Sequence, residues 1–498
     1  MRNNDWKAIA RFVGILLCAE GCLMALCLLP DLFHTNALTH SSIQALTHSS
    51  LFTLAVGAFL WYSFKEHRQL QDRRMAYLLV VLLWLVLSLF ATLPFLASGA
   101  TSHLSPFTSH LSPSAAWFEA MSGVTSCGAT VFPDVASLPP SILLWRSVTQ
   151  WFGGFGIVLL VLAVTPRLGI NKYALYTAEA SGADNSGPSA VRAVVTVRRT
   201  LAVYLSLTAL FIILLMLSGM PLWDAVNLTF TNISSGGFSI YSASIASVTP
   251  LQQCILAAAM FLSGVTFTLL FLLFTLRWRQ LCHKLDQFRF YLLLCLVAVL
   301  VVAASLHAQQ ALPWLDALRL AAVQTVSAVT TSGSVVADYT LWPVHVSFLL
   351  LVLAICGGMA GSTSGGLKIM RVVILMRNAR ASLHDRLHPH LVNPVRLNGR
   401  PVPPHLTHNV MVFFFVMAFT LMTGVMMLML CGVSATEAIG AAVGCLTGYG
   451  PGLGPSGGFG CYAHFSPAAL CFCSLLMLLG RLECLTVLVL LLPRFWRR

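Results

Sequence analysis

Trp117-Phe-Glu-Ala-Met-Ser-Gly-Val-Thr125-Ser126-Cys127-Gly128-Ala129-Thr130 begins as apolar helix and ends in a run of small polar residues and glycine. It is too apolar for an ordinary loop and too polar to cross a bilayer, which takes about 20 residues of helix. Three more stretches share this make-up. The second is Trp223-Asp224-Ala-Val-Asn-Leu-Thr-Phe-Thr-Asn232-Ile233-Ser234-Ser235-Gly236-Gly237-Phe238. The third ends Val329-Thr330-Thr331-Ser332-Gly333-Ser334, and the fourth ends Cys445-Leu446-Thr447-Gly448-Tyr449-Gly450-Pro451-Gly452. Each lies between two apolar segments long enough to span. Helix, re-entrant half-helix, glycine-rich descent, helix: the unit recurs four times, and that repetition decides the fold.

Working outward, the spacing predicts spans at 8–30, 50–64, 75–97, 141–165, 199–219, 250–276, 288–306, 343–375, 408–431 and 467–493. The expected architecture is an all-α polytopic membrane protein with four quasi-symmetric helix–pore-loop–helix repeats around one pore. Two extra helices in 1–70 precede repeats at 71–176, 198–282, 286–382 and 405–496. Composition agrees. Of 498 residues 57% are hydrophobic and 9% charged, and the mean hydropathy is +0.83. A soluble surface needs far more charge. A transmembrane barrel would show short alternating strands, which are absent from the pattern.

The net charge of +13 has a topological rather than a nucleic-acid explanation. Arg2, Lys7 and Arg11 precede the first span, and Lys65, Arg68, Arg73 and Arg74 follow the second. Further clusters are Arg167, Lys172, Arg192, Arg198 and Arg199; then Arg277, Arg279, Lys284 and Arg289; then Lys368 to Arg400; and finally Arg494, Arg497 and Arg498. The loops between, 31–49, 98–140, 220–250 and 432–466, hold no Lys or Arg. By the positive-inside rule the chain crosses an even number of times, with both termini cytoplasmic. The basic start and apolar run lack a small-residue cleavage site, so the first helix is expected to be retained.

Non-helical backbone at membrane depth is tolerated only against protein or a water-filled cavity. Carbonyls aimed at a common axis can replace the hydration shell of a cation. Glycine permits the backbone angles this needs, and a half-helix directs its partially negative C-terminal end at the ion. Ser434-Ala-Thr-Glu437 fits a capping box, and Glu119, Asp224 and Asp316 also fall early in their half-helices, as caps or vestibule acids. The 14 cysteines show no metal spacing and read as small buried hydrophobes. Two tandem duplications, Ala37–Ser42 restated at Ala45–Ser50 and Thr101–Pro106 restated at Thr108–Pro113, read as tolerated outer-loop insertions rather than histidine metal sites.

The eighth span is interrupted by Gly357-Gly358-Met-Ala-Gly361-Ser362-Thr363-Ser364-Gly365-Gly366-Leu-Lys368. Each glycine costs a helix about 1 kcal/mol against alanine, so the run is expected to be non-helical and to lie below the third loop. Arg481 falls inside the last span, its Cα about 20 Å of helix from Arg494, too far to reach the surface. A charge at that depth faces a cavity or a partner. The basic, proline-rich segment from Arg377 to Arg400 is expected at the membrane surface, attracted by anionic lipid.

These residues resemble the Trk/Ktr/HKT superfamily of potassium transporters, and most closely its TrkH/TrkG branch, over nearly the whole chain. The most specific pieces are Phe118–Thr130, Gln150-Trp-Phe-Gly-Gly-Phe-Gly156, Gly357–Lys368, Gly480-Arg481-Leu-Glu483 and Pro493-Arg-Phe-Trp496. The resemblance implies a potassium filter with one glycine per loop: Gly128, Gly236, Gly333 and Gly450, with Gly448 the alternative in the fourth loop. The carbonyls before them, of Ser126, Cys127, Ser234, Ser235, Thr331, Ser332, Gly448 and Tyr449, would line the ion sites. Ser126-Cys127 departs from the usual threonine-rich run. A serine in place of the first glycine accompanies sodium permeation in related proteins, so Gly128 favours potassium. The resemblance also makes 357–368 an intramembrane gate loop, held by Arg481. It implies a homodimer in the cytoplasmic membrane of a bacterium and a separate nucleotide-binding TrkA-type ring docked from the cytoplasm.

The expected function is therefore potassium uptake by channel-like conduction. No cofactor is expected beyond the transported ion, and no nucleic-acid partner. A sodium-permeable or sodium- or proton-coupled member of the same superfamily is the nearest alternative. A secondary transporter of a small solute would more often show two inverted halves. No nucleotide motif and no clustered nucleophile, base or metal set supports an enzyme.

Overall fold

A computed structural model of the protein describes residues 3–33, 37–66, 73–98, 111–168, 189–275, 285–388 and 394–496. The expected basic residues Arg2, Arg68, Lys172, Arg277, Arg279, Lys284, Arg497 and Arg498, and the Thr101–His110 part of the second duplication, lie outside these ranges. The chain opens with two antiparallel helices, α1 (Asn3–Leu26) and α2 (Ala37–Ser63). They meet through backbone-close glycines: a side chain on Gly14 or Gly57 would collide with the facing helix, the small-residue packing of membrane helices.

The four repeats follow. The first is α3 (Arg73–Ala91, prolonged by Leu93–Ala97), α4 (Pro113–Val124) and α5 (Pro140–Leu168). The second is α6 (Ser189–Leu217), α7 (Leu222–Ile233), α8 (Pro250–Ser263) and α9 (Phe267–Phe274). The third is α10 (Asp286–Gln310), α11 (Trp314–Val329), α12 (Val344–Cys356) and α13 (Ile369–Leu387). The fourth is α14 (Pro404–Leu430), α15 (Ala435–Thr447), α16 (Pro467–Arg481) and α17 (Leu485–Leu491). The half-helices are α4, α7, α11 and α15. Proline at the first or second position starts α4, α5, α8, α14 and α16, where its missing N–H costs nothing. One apolar core joins the first and fourth repeats, and another joins the second and third. A short antiparallel ribbon, β1 (Arg396–Leu397) with β2 (Arg400–Pro401), links the third repeat to the fourth.

Among the described residues six helices are long and apolar enough to cross a membrane, and counting each bent pair as one span gives eight. The chain is a polytopic helical membrane protein. Three expectations are corrected. The first duplication is not a loop insertion but part of α2, which starts at Ala37 rather than residue 50. Its hydroxyls are satisfied locally: Thr47 Oγ1 donates to the Ile43 carbonyl at 2.6 Å and Ser42 Oγ to Asp31 at 2.6 Å, which lets polar residues sit in helix.

The sixth span is not continuous. It turns by 108° between α8 and α9. The freed backbone is taken up by the 357–368 segment: Met359 N donates to the Gly264 carbonyl at 2.9 Å and Phe267 N to the Gly361 carbonyl at 3.2 Å. The last span also breaks, by 113°, directly after Arg481, through Glu483 and Cys484 at φ of 56° and 36°. The eighth span breaks where its glycines predict, between Cys356 and Ile369.

Candidate ion-conduction site

Each half-helix delivers its C-terminus to a short extended strand. A residue at or just past the cap has positive φ in every case: Ser126 (54°), Ser235 (56°) and Thr331 (53°) one past it, and Gly448 (74°) as the cap itself. Two residues later a glycine again has positive φ: Gly128 (89°), Gly237 (72°), Gly333 (74°) and Gly450 (90°). The four strands are therefore superimposable in backbone sense as Thr125–Gly128, Ser234–Gly237, Thr330–Gly333 and Thr447–Gly450.

These glycines close a ring. A methyl added to Gly128 would strike the Gly236 carbonyl oxygen; on Gly237 it would strike that of Ser332; on Gly333, that of Tyr449; and on Gly450, that of Cys127. Each loop thus leans its glycine on the carbonyl of the residue before the glycine in the next loop, and the fourth returns to the first. Glycine is required at all four positions by both the angle and the contact.

The geometry assigns two registers. In the fourth loop Gly450 occupies the ring and Gly448 the place of Ser126. In the second loop the ring residue is Gly237, one past the expected Gly236, while Gly236 supplies the ring carbonyl. Gly236 is pinned from behind: Gln150 Nε2 donates to its carbonyl at 2.9 Å, and Phe238 N donates to Gln150 Oε1 at 3.0 Å. Nothing in two adjacent glycines marks which one takes the left-handed angle.

The strands are braced from outside the ring. Ser126 Oγ donates to the Gln150 carbonyl at 3.2 Å, and the buried Cys127 thiol points back to the Gly444 carbonyl at 3.5 Å. Tyr462 Oη donates to the Gly450 carbonyl at 2.8 Å. Gln324 holds Val336 N at 3.1 Å with one end of its amide and Tyr449 Oη at 3.1 Å with the other. The residues Ser126, Cys127, Ser234, Ser235, Thr331, Ser332 and Tyr449 are all buried. Above the ring a cavity of about 60 Å³ touches Gly128, Gly237, Gly333 and Pro451, one loop each.

Of the half-helix acids, Asp224, Asp316 and Glu437 lie in a first turn and Glu119 does not. Asp224 accepts from Tyr241 Oη at 2.6 Å and Asp316 pairs with Arg319 at 3.3 Å. Ser434 makes no side-chain cap; Glu437 binds His464 at 2.6 Å instead, so the expected capping box is not formed. Glu119 lies mid-helix and neither caps nor lines the cavity. It takes Arg146 Nε at 2.8 Å, the Val131 N–H at 2.9 Å and Thr130 Oγ1 at 3.1 Å, with both charged side chains buried. Arg146 continues to the Ser239 carbonyl at 3.0 Å and stacks on Phe238, 4.0 Å from the ring centre. The sequence reading missed Arg146, Gln150 and Gln324. Arg146 had a signal, a single charge inside an apolar span.

Below the ring lies the 357–368 segment. Thr363 Oγ1 donates to the Ile233 carbonyl at 3.1 Å and pairs with Ser235 Oγ at 2.8 Å. Gly365 N donates to Thr331 Oγ1 at 2.6 Å, and Gly366 N to the Thr447 carbonyl at 3.0 Å. Arg481 completes the circuit, donating to the Thr363 carbonyl at 2.9 Å, the Gly153 carbonyl at 3.4 Å and Ser126 Oγ at 3.5 Å. The segment thus touches the second, third and fourth loops directly and the first through Arg481. Gly357, Gly361 and Gly366 have positive φ, and a side chain on Gly358 would strike Ser364. Ser362 Oγ and Ser364 Oγ pair at 2.6 Å, and Lys368 Nζ caps the carbonyls of Ser362 and Ser364.

Four half-helices ending on one closed ring of backbone, set among membrane-length apolar helices, define a pore-loop membrane transport protein. The comparisons give the family. The TrkH family model, described as a cation transport protein, matches residues 42–498, and the chain belongs to that family. It is 32% identical over 494 residues to the Trk system potassium uptake protein TrkH of Salmonella typhimurium, covering 99% of each chain. It is 28% identical over 508 residues to the TrkG protein of the same system in Escherichia coli, covering 100% of each. The crystal structure of the potassium transporter TrkH from Vibrio parahaemolyticus matches with a TM-score of 0.88 at 30% identity, over 99% of this chain and 100% of that one.

Proposed function

We propose that this protein takes up potassium across the bacterial cytoplasmic membrane by channel-like conduction. The observation that carries the reading is the closed ring of Gly128, Gly237, Gly333 and Gly450. A dehydrated cation on the ring axis meets backbone from four loops at once and the negative ends of four half-helices. Ser126 and Cys127, Ser234 to Gly236, Thr331 and Ser332, and Gly448 and Tyr449 carry the coordinating carbonyls. Cys127 and Tyr449 turn their side chains to Gly444 and Gln324, and Ser235 and Thr331 turn theirs to the 357–368 segment, so ligation falls to backbone, and Cys127 substitutes for a threonine without changing the ligand.

The 357–368 segment is the gate. Its seat under all four loops blocks an ion leaving the ring, and Arg481 holds it there while repelling cations that arrive. Both termini face the cytoplasm, and the basic surface around Arg377 and Arg396 docks a separate TrkA-type nucleotide-binding subunit. The chain works as a homodimer with a pore in each protomer.

The test is cation flux into liposomes containing the purified protein, for potassium, rubidium and sodium, beside Gly128→Ser and Gly237→Ser. Potassium and rubidium flux well above sodium, lost or relaxed in both variants, is the expected result. Sodium flux equal to potassium in the wild type would replace the reading with a sodium-permeable one. Silence with the cytoplasmic partner added would point to another solute.

A further inference from the structure

Glu20 lies in the C-terminal half of α1, inside the membrane-length stretch Asp5–Leu26. It is 5% exposed, and its Oε2 has no hydrogen-bond partner. The side chain borders a cavity of about 30 Å³, otherwise walled mainly by Leu23, Leu87, Trp145, Val148 and Phe152. That is room for a water molecule. Two other walls belong to the conduction machinery. Val124 is the last residue of the first half-helix, and Gly153 offers its carbonyl to Arg481.

Among the described residues no other ionisable group lines this cavity, and its one polar neighbour is Thr149. The described titratable groups on the elements around it are not among its walls: Asp5, Lys7, Arg11, Cys18 and Cys22 on α1 itself, His48 and Tyr62 on α2, Arg74 and Tyr77 on α3. Glu119 on α4 and Arg146 on α5 are committed to one another. Glu20 therefore has no cation to pair with. A bare carboxylate in an apolar cavity forfeits its hydration without compensation, which proteins avoid by neutralising the group. The C-terminal end of the half-helix at Val124 adds negative potential to the same space.

We propose that Glu20 is an intramembrane proton-binding site whose ligand is the proton itself, held at neutral pH as the neutral acid against the first half-helix. Release of that proton leaves an unpaired charge beside Val124 and Gly153. Proton occupancy at Glu20 is thereby linked to the packing beneath the first loop. The inference is independent of which ion the ring conducts.

The experiment uses the full chain in lipid nanodiscs at neutral pH. Infrared difference spectra are recorded for wild type against Glu20→Gln, and against Glu20→Asp as the conservative control for folding. A lipid-soluble carbodiimide is the second probe. It adds a protonated carboxyl across its carbon–nitrogen double bond, the acid proton passing to nitrogen, and the product rearranges to a stable acylurea that peptide mapping locates. A carboxylic-acid carbonyl band lost in Glu20→Gln, shifted but kept in Glu20→Asp, and an acylurea on the Glu20 peptide are expected. No such band in the wild type, or one that vanishes near the pH of an exposed carboxylate, overturns the proposal. So does labelling that maps only to other acids.

Discussion

Gly236 and Gly237 are chain neighbours with opposite burdens. A methyl on Gly237 meets the backbone of Ser332 and must adopt a φ of 72°, which alone costs an L-residue roughly 1–2 kcal/mol. A methyl on Gly236, whose φ is not left-handed, meets a side-chain amide, that of Gln150, rather than backbone. Gly237→Ala is expected to lower potassium flux by about tenfold or more, in line with 1.4 kcal/mol per decade, while Gly236→Ala retains most of it. Equal losses would mean that the ring does not set conduction. The Glu119–Arg146 pair makes a second prediction. Removing one partner of a buried pair strands the other and costs about 3–5 kcal/mol, whereas removing both costs far less. Glu119→Gln and Arg146→Met should each lower the melting temperature in detergent, and the double variant should recover much of the loss; additive losses would deny the coupling. At this scale the sequence was partly legible. Composition and spacing located all four loops, because small residues and glycine at membrane depth have few other uses. The register within Ser234-Ser-Gly-Gly237 was not, because it depends on contact with Ser332 in another repeat. Glu119 looked like a cap because its partners, Arg146 and Val131, come later in the chain than the helix that carries it.

Elements show the same division. Helices that stand alone in lipid, such as α10 and α14, fall within a few residues of their apolar runs. The half-helices are also where expected, since their length and polar ends are local properties. The breaks at Gly264 and after Arg481 were unreadable, because both lie in sequences apolar enough to continue as helix. What bends them is the 357–368 segment, whose amides and carbonyls take up the backbone of the α8–α9 turn and whose Thr363 carbonyl takes Arg481. Three broken helices therefore meet at one place, under the ring. That convergence gives the proposed gate its energetics. Arg481 supplies one charged hydrogen bond to it, at the Thr363 carbonyl, worth about 1.5–3 kcal/mol. Arg481→Gln is expected to raise basal potassium flux without a cytoplasmic partner by about tenfold, read in the same liposomes. Thr363→Ala, which removes only neutral contacts to Ser235 and the Ile233 carbonyl, should raise it less. Unchanged flux in Arg481→Gln, with the protein folded, would separate this segment from gating.

Across the whole molecule, charge is sorted by end. The segments that lead into the half-helices and out of the loops carry Asp134, Asp224, Asp316, Asp338 and Glu437, with one cation, Arg319, paired to Asp316. The opposite helix ends carry Lys65, Arg74, Arg198, Arg199, Arg289, Arg377 and Arg380. Cationic segments are retained on the cytoplasmic side during insertion. On that rule the cavity faces outside, and the broken helices and their basic flanks face inside. Fusions test this without assuming transport. An alkaline phosphatase joined after Gln310, at the end of α10 just before the third half-helix, is expected to be active, because it needs the oxidising exterior. Joined after His388, past the gate-side helix α13, it should be inactive, and a fluorescent protein at the two sites should give the reverse. Activity after His388 would invert the chain. The cavity would then face the cytoplasm, and an uptake reading would have the proposed gate on the entry side, where a cation would meet Arg481 before any carbonyl. Sidedness therefore decides whether the gate acts on ions that have already passed the ring or on ions that have yet to reach it.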